Sequence, residues 1–94
     1  MTVYENENIY RLFFNQYENY DDMESFFDKF KTELNAVVID KIDGPYSRIW
    51  KILIDNIGFK LIVDDSYGSS IVAENEVSKE KLKFLYSIID RFIY

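Results

Sequence analysis

Apolar and polar residues alternate with period two across the middle of the chain. Trp50, Ile52 and Ile54 share one face of an extended segment, and Phe59, Leu61 and Val63 share a face of the next. The alternation predicts strands over 47–55 and 58–65, with Gly58 suited to the hairpin turn between them. A further strand over 69–74 follows the turn Asp64–Gly68. Upstream, 36–42 reads as another strand. Its alternation falters around Asp40, which predicts a bulge or an edge position. Asp43-Gly44-Pro45-Tyr46 is the turn out of it.

Two stretches change period. Met23, Phe26, Phe27, Phe30 and Leu34 fall on one helical face and predict a helix over 22–34, capped by Asp21 or Asp22 and ended by Asn35. Leu82, Leu85, Ile89 and Phe92 form the stripe of a second helix over 79–92, with Ser78 as N-cap and Val77 against Leu82 as a hydrophobic staple. Ile9–Phe14 is β-rich and reads as the first strand, after a polar lead-in at 1–8.

The resulting order is β-α-β-β-β-β-α. It predicts an α+β two-layer sandwich: an approximately five-stranded, mostly antiparallel sheet with two helices on one face. The first strand is expected beside the 36–42 strand, through a right-handed crossover containing the first helix. The uncovered face would then carry Ile49, Lys51, Leu53, Lys60, Ile62, Asp64, Ser70, Val72 and Glu74. Ile49, Leu53 and Ile62 make an apolar patch there, on a face that is either solvated or able to pair two copies.

Composition removes most chemistry. At 94 residues the chain is the size of one domain. Without Cys or His there are no disulfides, no usual zinc ligands, and no Ser-His-Asp or Cys-His catalysis. The polar, acidic start is unlike a signal peptide, and the apolar runs are too short to span a membrane, so a cytoplasmic protein is expected. The net charge of −6 disfavours nucleic acid and anionic membrane as direct ligands. Asp64–Gly68 lacks the ligand spacing of a calcium loop, and none of the three glycines belongs to a phosphate-cradling loop. No cofactor and no enzyme is expected. The residual catalytic alternative is a small metal-dependent enzyme using Asp64, Asp65 and Glu74.

The charge is unevenly placed. Residues 1–25 hold six acids and one base, against eleven acids and ten bases in the rest. Tyr17 and Tyr20 lie among those acids, and Tyr67 lies beside Asp64 and Asp65. Carboxylates with tyrosines suit a surface that engages Lys and Arg of a protein partner. The expected partner-binding residues are Tyr17, Glu18, Tyr20, Asp21, Asp64, Asp65, Tyr67, Glu74 and Glu76.

These features, with abundant Asn, Ile, Lys, Tyr and Phe and the run from Asp43 to Trp50 continuing to Phe59–Leu61, resemble the immunity proteins of contact-dependent growth inhibition systems. The resemblance implies a cytoplasmic antitoxin that blocks the active site or substrate groove of a basic toxin, often a nuclease acting on tRNA. The alternative is another acidic binding module, such as a DNA mimic or a regulatory subunit.

Overall fold

The computed structural model describes residues 1–94. In chain order it comprises β1 (Thr2–Glu5), β2 (Tyr10–Phe14), a 3₁₀ turn at Tyr20–Asp22, α1 (Met23–Leu34), β3 (Val37–Asp43), β4 (Ser47–Ile54), β5 (Ile57–Asp64), β6 (Gly68–Ala73) and α2 (Glu76–Phe92). The expected α+β sandwich is present. Its sheet has six strands in the order β1-β2-β6-β5-β4-β3, and every neighbouring pair is antiparallel.

Alternation along the strands sets which face is covered. Leu12 and Phe14, Trp50, Ile52 and Ile54, Phe59, Leu61 and Val63, and Ile71 and Ala73 point to one side. There they form a single core with Met23, Phe26 and Phe30 of α1 and Leu82, Leu85 and Ile89 of α2. Each large side chain fully removed from water contributes about 1.5–3 kcal/mol. The rings of Phe14, Phe26 and Phe30 meet edge-on or tilted at centroid separations of 5.4–6.4 Å, a geometry aromatic quadrupoles favour.

Several expectations are corrected. β1 occupies part of the presumed lead-in. All four of its residues are exposed, so burial leaves no alternation to read. Glu5 ties this edge to α2, lying 2.8 Å from Lys83 and 3.8 Å from Lys79. The buried Lys79 also donates to the carbonyls of Asn6 and Glu7.

β2 pairs with β6, not with β3. The physical reason lies in the two ends of the meander. β6 presents Ser69, Ser70, Ile71, Val72 and Ala73, all buried and small enough for a central strand. β3 is an edge with a register shift between Val38 and Asp40, where Asp40 Oδ1 accepts from the Lys41 amide. Bulges and edge charges of this kind discourage further pairing.

The β4–β5 turn is built by Asp55 and Asn56, both at positive φ (52° and 64°), and Gly58 lies within β5 opposite Leu53. Two consecutive left-handed residues match the twist of a tight hairpin. Asn35 ends α1 in the left-handed conformation, as its sequence position predicts. Asp22 occupies the N-cap position of α1, as expected, but its side chain makes no cap hydrogen bond to the helix. Asn19 caps the 3₁₀ turn leading into α1, and its amide donates to Asp22 Oδ2.

α2 starts three residues early. Asn75 is its N-cap: Asn75 Oδ1 accepts from the Ser78 amide at 2.9 Å, and Ser78 Oγ accepts from the Asn75 amide at 3.2 Å. Val77 is 66 % exposed and staples nothing. Asn75→Ala is therefore expected to remove about 1 kcal/mol and lower the melting temperature by roughly 5 °C in a chain of this size. Val77→Ala should leave thermal melts unchanged.

Candidate functional site

The turn after β5 and the loop after β2 meet at one end of the sheet. Asp64 Oδ1 accepts from the amides of Ser66 and Tyr67, closing the turn on the carboxylate. Gly68 follows at φ 73°, and its α-carbon faces the Glu18 side chain from the loop opposite. Glu18, Asp65 and Tyr67 consequently line one shallow concavity of about 260 Å³. The third element at this end is the β3–β4 turn, where the Asp65 amide donates to the Tyr46 carbonyl at 3.1 Å.

Arg48 holds the loop in place. It lies on β4 opposite Val63, on the covered face of the sheet. Its Nη1 and Nη2 each donate to one oxygen of Glu24 at 2.9 Å, and its Nε donates to Asp43 Oδ1 at 3.1 Å. Nη1 also donates to the Tyr20 carbonyl, and the guanidinium stacks 4.9 Å above the Tyr20 ring. Trp50 Nε1 donates to the same Asp43 oxygen. One cation thus links α1, β3, β4 and the Tyr20 turn. Alternation alone marks position 48 as covered; that a buried arginine there needs two acids from different elements is a further signal, readable once the fold is known.

The expected partner-binding residues divide into three groups. Glu18, Asp21, Asp64, Asp65 and Tyr67 gather at this end with Tyr20, joined by Asp22 and by Tyr46, which sequence reasoning passed over as a turn residue. None of these five carboxylates is in an ion pair. Tyr46 and Tyr67 are more than 70 % exposed. Tyr17 is different: its ring packs 5.3 Å from Phe26 and its hydroxyl donates to the Ile93 carbonyl. It is a packing residue, turned inward by the apolar face of α1. Glu74 and Glu76 lie at the opposite end, beyond the far terminus of β6 and roughly 20 Å away along the strand. Glu74 is paired with Lys60 at 2.7 Å. Asp64, Asp65 and Glu74 do not converge, and no cluster of acids is placed to hold a metal ion. No helix is long and apolar enough to cross a membrane.

Titration of the ion pairs sets a pH dependence. Hydrogen bonds from Arg48 hold the Glu24 and Asp43 carboxyls below their ordinary range, and a hydrogen bond from Lys83 does the same for Glu5. A depressed carboxyl contributes stability above its unfolded pKa and loses it as pH falls through the folded value. Burial raises the Tyr10 and Tyr17 hydroxyls, and the Glu5 hydrogen bond raises Lys83. Their contributions are present below the unfolded pKa values and vanish as pH rises through the folded ones. With no His to titrate between, the melting temperature is expected to be flat from about pH 6 to 9 and to fall on both sides. A slope near pH 6.5 in thermal melts would contradict this assignment.

No protein-family model, curated protein or solved structure matched the chain when it was compared with them.

Proposed function

We propose that this protein is an immunity protein, an antitoxin of the kind found in contact-dependent growth inhibition, acting in the cytoplasm on a basic toxin. The observation that carries this reading is the acidic end: five carboxylates that make no direct ion pair, beside Tyr20, Tyr46 and Tyr67. Such a surface complements the Lys and Arg with which a nuclease holds phosphates. Its field accelerates encounter with a cationic partner, and exposed tyrosines supply contact area at the centre of an interface. The toxin is read as a nuclease acting on tRNA or other RNA, with the acidic end covering its active site or substrate groove.

The test is a tagged pull-down from the native host, followed by co-expression. A single basic protein that arrests growth alone, and is harmless when this chain is present, is the expected result. A partner whose toxicity this chain leaves untouched would sink the reading.

A further inference from the structure

The helix-free face of the sheet is organised in lateral rows. Register places Tyr4, Arg11, Val72, Lys60, Lys51 and Asp40 side by side across all six strands. The neighbouring row is Thr2, Phe13, Ser70, Ile62, Ile49 and Ile42. One row is thus cationic at its centre and the next is apolar. Two shallow concavities, of about 420 Å³ and 210 Å³, share Lys60, Val72 and Glu74 and form a continuous trough over these rows. The trough opens further at Gly58, where an added Cβ would meet nothing within 4 Å.

The cations of the row are unevenly satisfied. Lys60 has Glu74. Lys51 has no ion pair. Arg11 is half-buried, with its guanidinium 4.5 Å above the Phe13 ring; only its Nε is engaged, donating to Ser70 Oγ at 3.0 Å. The two terminal nitrogens of Arg11 have no hydrogen-bond acceptor; burial draws its pKa below the usual guanidinium value, against the opposing field of Asp64 on the same face. A planar fork held over an aromatic ring with both prongs free is suited to a carboxylate.

We propose that this face docks an acidic polypeptide segment that alternates carboxylates with aliphatic side chains. The carboxylates meet Arg11 and Lys51, and the aliphatic groups lie along Phe13, Ile62 and Ile49. The rows match the side-chain alternation of an extended segment or the two edges of an amphipathic helix. The charge pattern selects against other occupants. A second copy laid face to face about an axis along the strands would set the cationic row upon itself. A nucleic acid strand would need aromatic faces spaced along its length, and the centre of the apolar row offers Ile62 and Ile49 instead. This site goes beyond the acidic end, which contributes only Tyr67 at its rim and the field of Asp64 on Arg11.

The experiment uses the full chain and a fluorescein-labelled twelve-residue peptide of alternating Glu and Leu. Controls are the Lys-Leu counterpart and a twelve-nucleotide oligothymidine. Anisotropy is expected to report binding of the acidic peptide, weakened about tenfold by Arg11→Gln with Lys51→Gln and unchanged by the charge-matched Lys29→Gln with Arg91→Gln on the exposed helix surfaces. On ¹⁵N-labelled wild-type protein, amide shifts should move on β2, β4, β5 and β6, and the Arg11 Nε signal should move with them. That map decides the location even if the double variant is less stable. Equal binding of the Lys-Leu peptide, preferential binding of oligothymidine, no binding of the acidic peptide, or shifts confined to 18–21 and 64–67 would each overturn the proposal.

Discussion

Arg48→Ala is expected to lose about 3 kcal/mol of folding stability, because removing one partner of a buried pair leaves the others uncompensated. In a chain of this length that corresponds to a fall in melting temperature of roughly 10–20 °C. The figure sits at the lower edge for buried pairs because Glu24 is 64 % exposed and regains water when the arginine is gone. Trp50 supplies the readout. It is the only tryptophan, it is 2 % exposed, and its Nε1 shares the Asp43 oxygen with Arg48. Its emission should shift towards the red at a lower denaturant concentration than in the wild type.

Arg48→Met separates the two contributions of this residue. Methionine keeps most of the apolar stem and discards the charge, so part of the packing is retained. The acid limb of the stability profile should become shallower in this variant, since the largest cause holding Glu24 and Asp43 low is gone, while Trp50 and Lys41 still act on Asp43 and Lys83 on Glu5. Full retention of that limb would assign the depressed carboxyls to another cause. The variant also loosens the Tyr20 turn, which Arg48 holds through the carbonyl at 3.3 Å. Stability and partner binding are thus coupled at this arginine, and a loss of affinity on its replacement does not by itself place Arg48 in an interface.

The core was legible because alternation and helical spacing are local. Period alone places Trp50, Ile52, Ile54, Phe59, Leu61 and Val63 on the covered face, and helical spacing does the same for Phe26 and Phe30; all are buried. What local pattern lacks is pairing. Nothing between residues 9 and 14 states whether that strand lies beside the first or the last strand of the meander, since both arrangements bury Leu12 and Phe14. The choice rests on the bulged, charged edge of β3 against the small apolar residues of β6. The face opposite the helices was partly read for the same reason. Its β4, β5 and β6 residues follow from alternation, but Arg11 and Phe13 join them only once β2 is placed beside β6. The cationic row is therefore a product of topology. The two acidic segments, at 18–21 and 64–67, were each visible in sequence. Their meeting required the loop to fold back over the end of the sheet, whereas Glu74 and Glu76 were carried to the other end by the length of β6.

Reversing charge at the acidic end is expected to slow association with a basic partner by about ten- to a hundredfold at low salt, because steering scales with the opposed charges. The choice of residues follows from their structural duties. Asp64 accepts two backbone amides and closes its turn, so a lysine there would disturb the turn as well as the field. Glu18 and Asp65 are exposed and make no ion pair. Glu18→Lys with Asp65→Lys changes the local charge by four units while leaving the hydrogen bonds of the turn intact. Its melting temperature should rise slightly or stay level, since like charges in the cluster are relieved. The association rate is the quantity to follow, in stopped-flow fluorescence from 20 to 300 mM salt. The wild type should slow steeply with salt and the variant should respond weakly, the two converging once the Debye length is shorter than the separation of the charges. A variant that keeps both the rate and the salt slope would move the basic partner away from this end. A variant that loses affinity only through faster dissociation would instead make Glu18 and Asp65 direct contacts, desolvated in the complex and not merely sources of a guiding field.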